Sequence, residues 1–67
     1  MRPHLTHHAR NRMAERGISV DLVDRCFYEG ISVGLGKTSR TEKKILGDIA
    51  IIVDVYSFAV ITVYWWN

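Results

Sequence analysis

The hydrophobic period of this chain changes once, at Gly30, and that change limits the folds open to it. Before Gly30 the apolar residues recur at helical spacing. After it they alternate, or run together as β-branched and aromatic strings. Helices first and strands afterwards imply an α+β protein: two N-terminal helices packed on a three- to four-stranded antiparallel sheet. Sixty-seven residues are enough for a single domain, 1–67. A domain this small buries only about 60% of its unfolded surface, so its stability should be marginal.

The first helix is expected over Thr6–Arg16. Thr6 suits the N-cap and Gly17 the position just past the end. At 100° per residue Leu5, Ala9 and Met13 make a narrow apolar stripe. Arg12 and Arg16 project to the same side as the stripe, with His8 at its edge. Arginines aimed toward a core need a partner or a task. The second helix is expected from an N-cap at Ser19 to a stop at Gly30, with Asp21 in the first turn where the helix dipole favours an acid. Leu22, Val23, Cys26 and Phe27 share one face; Asp21, Asp24, Arg25 and Glu29 share the other.

Beyond Gly30 the expected strands are Ile31–Leu35, Arg40–Leu46, Ile49–Val53 and Phe58–Trp65. Turns fall at Gly36–Ser39, Gly47–Asp48 and Asp54–Ser57. The last two strands are apolar on both faces, so they lie centrally or meet a partner. A homodimer through the C-terminal strand, or a complex with a partner protein, with Trp65 or Trp66 at the contact, is the assembly this predicts. The expected core is Leu22, Val23, Cys26, Phe27, Ile51, Val53, Ile61 and Val63.

Composition narrows the functional classes. The single cysteine, Cys26, allows no internal disulfide and points to a reducing compartment. The opening residues MRPHLTHHAR have no apolar run of the secretory type, and Asp54 and Ser57 interrupt the longest apolar stretch. These features predict a cytoplasmic protein with no membrane association. Charge is segmented. Residues 1–16 carry net +3 and residues 37–44 carry net +3, whereas 17–36 and 45–67 carry −2 each. If the two basic segments meet, they form a cationic surface for a polyanion. The alternative is a solvated, well-mixed surface.

Three constellations bear on chemistry. His4 and His8 stand four apart, a spacing known from helical metal pairs. With no third ligand of matching geometry, no metal and no other cofactor is expected. Gly36-Lys37-Thr38 looks like the end of a phosphate loop, but Ile31 occupies the position where the pattern needs its first glycine, so nucleotide binding is rejected. The third constellation is in helix 1. Metal-independent RNA cleavage needs a base, an acid and cations for the phosphorane. His8 is the candidate base or acid, and Arg12 and Arg16 follow at successive turns with forks that match phosphate oxygens. Tyr64 can stack a base or donate a proton. The competing reading is that Arg12 and Arg16 pair with acids such as Glu15, Asp21 or Asp24 and tie the helices together.

The run His8-Ala9-Arg10-Asn11-Arg12-Met13-Ala14-Glu15-Arg16-Gly17-Ile18 resembles the opening motif of a small bacterial family catalogued as domain of unknown function 4258, H-A-x-x-R-M-x-x-R-G-I. Val60-Ile61-Thr62-Val63-Tyr64-Trp65 is similar to that family's closing strand, which often reads V-I-T-V-Y. The resemblance implies a RelE-like or barnase-like fold and a toxin-like, metal-independent endoribonuclease, with RNA as substrate and an antitoxin protein as candidate partner. It covers His8, Arg12, Arg16 and Tyr64 as candidate catalytic residues. Residues 35–44 have no positional counterpart in the pattern. Arg10, Lys37, Arg40, Lys43 and Lys44 are therefore candidate RNA-binding residues on charge alone. The alternative from another class is a non-catalytic protein- or nucleic-acid-binding module.

Overall fold

The structure is a computed structural model that describes residues 3–35 and 39–66. In chain order its elements are β1 (His4–Leu5), α1 (His7–Arg16), α2 (Val20–Glu29), β2 (Ile31–Leu35), β3 (Thr41–Leu46), β4 (Ile49–Asp54) and β5 (Ala59–Trp65). The two helices begin and end where the sequence signals place them. Thr6 caps α1 by accepting from the Ala9 N–H, and Gly17 follows in the left-handed region at φ 65°. Ser19 caps α2 by accepting from the Leu22 N–H at 3.1 Å. Gly30 ends α2 for a steric reason. A Cβ there would lie 2.3 Å from the carbonyl oxygen of Cys26 and 3.1 Å from that of Ile45 in β3.

The protein is α+β, but the expected sheet of three or four antiparallel strands is corrected to a mixed sheet of five, ordered β1-β5-β4-β3-β2. β2, β3, β4 and β5 pair antiparallel in sequence. β1 adds a parallel edge, with His4 opposite Ala59 and Leu5 opposite Val60. Two residues are too few to show a period of two, so nothing in the sequence separates β1 from the lead-in to helix 1. The long crossover that a parallel pair requires is supplied by both helices and the intervening strands.

Both helices lie on one face of the sheet. Ala9 and Met13 of α1, Ile18, and Val23 and Cys26 of α2 form one core with Ile49, Ile51, Val53, Val60 and Val63. Of the expected core, Val23, Cys26, Ile51, Val53 and Val63 are buried, and Leu22, Phe27 and Ile61 are half-buried. Ile61 falls where the β4–β5 register shifts, between the pairs Ile52–Thr62 and Val53–Val60. The extra residue of a bulge sits outside the regular alternation.

Every residue of β4 is buried on both faces. Ala50, Ile52 and Thr62 belong to the face opposite the helices, since alternate residues of a strand point to opposite sides. On that face Ile52 is opposite Lys43 and Ala50 is opposite Tyr64 and Ile45. Ala50, Ile52 and Thr62 form the buried floor of this face, and no helix among the described residues packs on it.

β5 is bordered on both sides, by β4 and by β1. Its edge beyond β1 is also engaged. The Thr6 hydroxyl lies within 2.9 Å of the Val60 carbonyl and 3.2 Å of the Ile61 carbonyl, and the Arg16 guanidinium reaches the Val63 carbonyl. Strand addition along β5, the contact expected for a C-terminal homodimer, would displace these donors. No helix among the described residues is long and apolar enough to cross a membrane.

Candidate nucleic-acid interface

The four candidate catalytic residues divide between two faces of the sheet. His8 is exposed on α1. Arg12 is turned along its own helix, with Nη1 donating to both carboxylate oxygens of Glu15 at 2.5 and 2.8 Å. Arg16 Nη1 donates to the Val63 carbonyl at 2.8 Å, while the Trp65 indole N–H donates to the Arg16 carbonyl at 2.7 Å. Arg12 thus takes the acid-paired role, and Arg16 ties helix to strand through a main-chain carbonyl. Tyr64 stands one residue along from Val63, and the pleat turns it to the other face. His8, Arg12 and Arg16 share α1; Tyr64 does not join them.

The basic residues divide in the same way. Arg10 is exposed on α1 and borders an open groove of about 330 Å³ with His4, Leu5, Val20 and Asp24. Lys44 points to the helix side. Its ammonium donates to the Phe27 carbonyl at 2.7 Å and lies 5.0 Å from the Phe27 ring centre, beside a second groove of about 360 Å³ bounded by Tyr28, Val55 and Phe58. Lys37 lies outside the described residues. His4 is in β1 and His8 in α1, so the pair does not share a helix. Among the described residues no three His, Cys, Asp or Glu side chains group as metal ligands would.

The open face assembles a set the sequence did not single out as a unit. Lys43 Nζ lies 5.6 Å from the ring centre of Tyr64 and 5.7 Å from that of Trp66. An ammonium over aromatic faces is attracted by the ring quadrupole. Trp66 is fixed there by two bonds to the β3–β4 turn, from its indole N–H to the Gly47 carbonyl and from its main-chain N–H to the Asp48 carbonyl, both 2.9 Å.

At the other end of this face Arg40 meets Asp54, with Nε and Nη2 at 3.0 and 2.9 Å from Oδ2, and the guanidinium lies 5.3 Å from the Tyr56 ring centre. The main-chain N–H groups of Tyr56 and Ser57 donate to Asp54 Oδ1 at 2.8 and 3.1 Å. Those two donors, helped by the Arg40 charge and opposed by burial, hold the Asp54 carboxyl below its ordinary value of 3.8. On the helix side, burial pushes the Cys26 thiol above its ordinary 9.0, against the lowering effect of the Lys44 charge.

The arrangement therefore offers a lysine with two aromatic rings on one sheet face, and, at the turns beyond the far ends of β3 and β4, an arginine–carboxylate pair beside a third ring, Tyr56. Tyr56, Asp54 and the floor residues Ile52 and Thr62 were not among the residues singled out from sequence. The signal available was the two-residue turn at Gly47–Asp48, which fixes the β3–β4 pairing and puts Lys43 opposite Ile52. Comparison with family models, with curated proteins and with solved structures gives no match to this chain.

Proposed function

We propose that this protein binds single-stranded RNA on the open face of its sheet. The observation that carries the reading is Lys43, held over the rings of Tyr64 and Trp66 on a face that no described helix covers. Proteins that grip unpaired strands combine a cation for the backbone with aromatic rings for the bases. Among the described residues, Lys43 and Arg40 are the members of the expected basic set near this face, because Lys44 and Arg10 lie elsewhere. A fluorescein-labelled oligouridylate titrated with the protein at low salt tests the reading by anisotropy. Binding is expected, and Lys43→Ala should weaken it and reduce the salt slope by about 0.7, the value for one phosphate contact on a single strand. No binding at low salt, or a Lys43→Ala variant that binds and responds to salt like the wild type, sinks it.

A second reading keeps the toxin-like, metal-independent endoribonuclease and a RelE-like fold, and moves the chemistry from α1 to this face. It is favoured by the contact between the Lys43 ammonium and Tyr64: a cation for the phosphorane and a hydroxyl able to pass a proton. Incubating the same RNA with the protein, with and without EDTA, separates the two. Intact RNA leaves a binding module; EDTA-resistant cleavage that Lys43→Ala abolishes supports the nuclease.

A further inference from the structure

We propose that Tyr56, with Arg40 over its ring, is a second base-stacking position for the same strand, so that the open face takes on the order of four unpaired nucleotides and discriminates against duplex. The proposal rests on the RNA reading above and adds the length and the strandedness of its ligand. β4 runs through the middle of the face from Ala50, opposite Tyr64, to Asp54, opposite Thr41. Four residues of strand cover about 13 Å, and a stacked strand advances about 3.4 Å per nucleotide. The two aromatic positions are thus a few nucleotides apart, joined by the buried floor of Ile52 and Thr62.

The two ends differ in charge. Lys43 contacts only rings among its described partners, so it supplies net positive charge to a phosphate. Arg40 is neutralised by Asp54, whose other oxygen fixes the turn that carries Tyr56. Tyr56 is 74% exposed, with the Arg40 guanidinium carbon over its ring, 5.3 Å from the ring centre. That end is built for stacking and contributes little to long-range attraction of phosphate. A base has an exposed face to offer only when it is unpaired, which is why a duplex is a poor ligand.

The test uses labelled oligouridylates of about two to eight nucleotides, within the range of known single-strand site sizes, and a short RNA duplex of matched charge. Affinity should rise to about four nucleotides and then flatten, and the duplex should bind at least about tenfold more weakly. Tyr56→Ala should weaken the four-nucleotide ligand by about 5- to 100-fold, leave the two-nucleotide ligand unchanged and leave the salt slope unchanged. Tyr56→Phe, which keeps the ring, should bind as the wild type. Circular dichroism of each variant checks that the fold is retained. If Lys43→Ala weakens binding but Tyr56→Ala matches the wild type at every length, or if the duplex binds as tightly as the single strand, the second position is wrong and the RNA reading stands. If the wild type binds no RNA of any length, both fall together.

Discussion

The guanidinium of Arg16 donates to the main-chain carbonyl of Val63 across 2.8 Å. This bond places an arginine of the sequence motif in a load on the fold. Among the described residues β1 pairs with β5 at Ala59 and Val60, and no described strand lies beside the Val63 carbonyl. Arg16 occupies that position, and the Trp65 indole closes the contact by donating to the Arg16 carbonyl. A charge-assisted bond to a partly buried carbonyl contributes about 1–3 kcal/mol. Arg16→Ala should lower stability by about 1–2 kcal/mol, or roughly 4–15 °C in Tm for a domain of this size. RNA affinity should not change once the protein is folded. Loss of RNA affinity or cleavage without loss of Tm would return Arg16 to the functional site.

Where sequence and structure agree, the local signal was strong. Thr6 and Gly17, then Ser19 and Gly30, bracket two helices whose apolar faces are self-evident, and both helices form where expected. The Gly47–Asp48 turn sets β3 against β4 in register. Where they part, the cause is long-range. β1 becomes a strand only because β5 lies beside it. The bulge near Ile61 decides which residues of β5 face the helices, and no local pattern announces it. The placement of Tyr64 relative to His8, Arg12 and Arg16 is long-range in the same way. Their spacing fixes three of them on one helix, but the side of the sheet that Tyr64 takes depends on the β5 register. Lys43 and Lys44, identical in sequence terms, end on opposite faces for no reason beyond the pleat.

Asp54 links the turn to the face it supports. Its pKa is held below 3.8 by the Tyr56 and Ser57 N–H donors, with Arg40 beside it. A folded-state pKa below the unfolded one gives stability that is present above the unfolded value and lost as pH falls through the folded value. The wild type should therefore be more stable than Asp54→Asn at neutral pH. That difference should shrink as pH falls below about 4, where the carboxylate protonates. Thermal melts of both proteins across acid pH measure it. A constant difference between them would show that the charge of Asp54 contributes nothing.

Cys26 is fully buried on α2, with its thiol 3.5 Å from the Lys44 carbonyl. Cys26→Ser should cost about 1–3 kcal/mol, read as a lower denaturant midpoint. The cost should fall toward the low end if the serine hydroxyl takes over the thiol's carbonyl partner. The thiol should also resist alkylation until the chain unfolds, because burial favours its protonated form. With its folded pKa raised, the stability it contributes is full below the ordinary 9.0 and declines as pH rises beyond it. Rapid labelling of the native protein at pH 8 would place Cys26 outside the core.

Tyr64→Phe separates the binding module from the nuclease with the loss of one oxygen. The ring is what a base stacks on and what holds the Lys43 ammonium, and phenylalanine keeps the ring. The hydroxyl is what a proton transfer needs. In the binding module Tyr64→Phe should bind the oligouridylate within about twofold of the wild type, whereas Tyr64→Ala should lose about 5- to 100-fold. In the nuclease the same Tyr64→Phe should keep its affinity and lose cleavage by about 10²–10⁴-fold, the scale of one positioned proton donor. Tyr64 is half-buried opposite Ala50, so neither variant forces a larger side chain into the sheet. Anisotropy and a denaturing gel on the same samples read both quantities. Should Tyr64→Phe and Tyr64→Ala both bind RNA as tightly as the wild type, the strand lies elsewhere on the molecule. Arg10 and its groove beside β1 and α1 would then be the next surface to test.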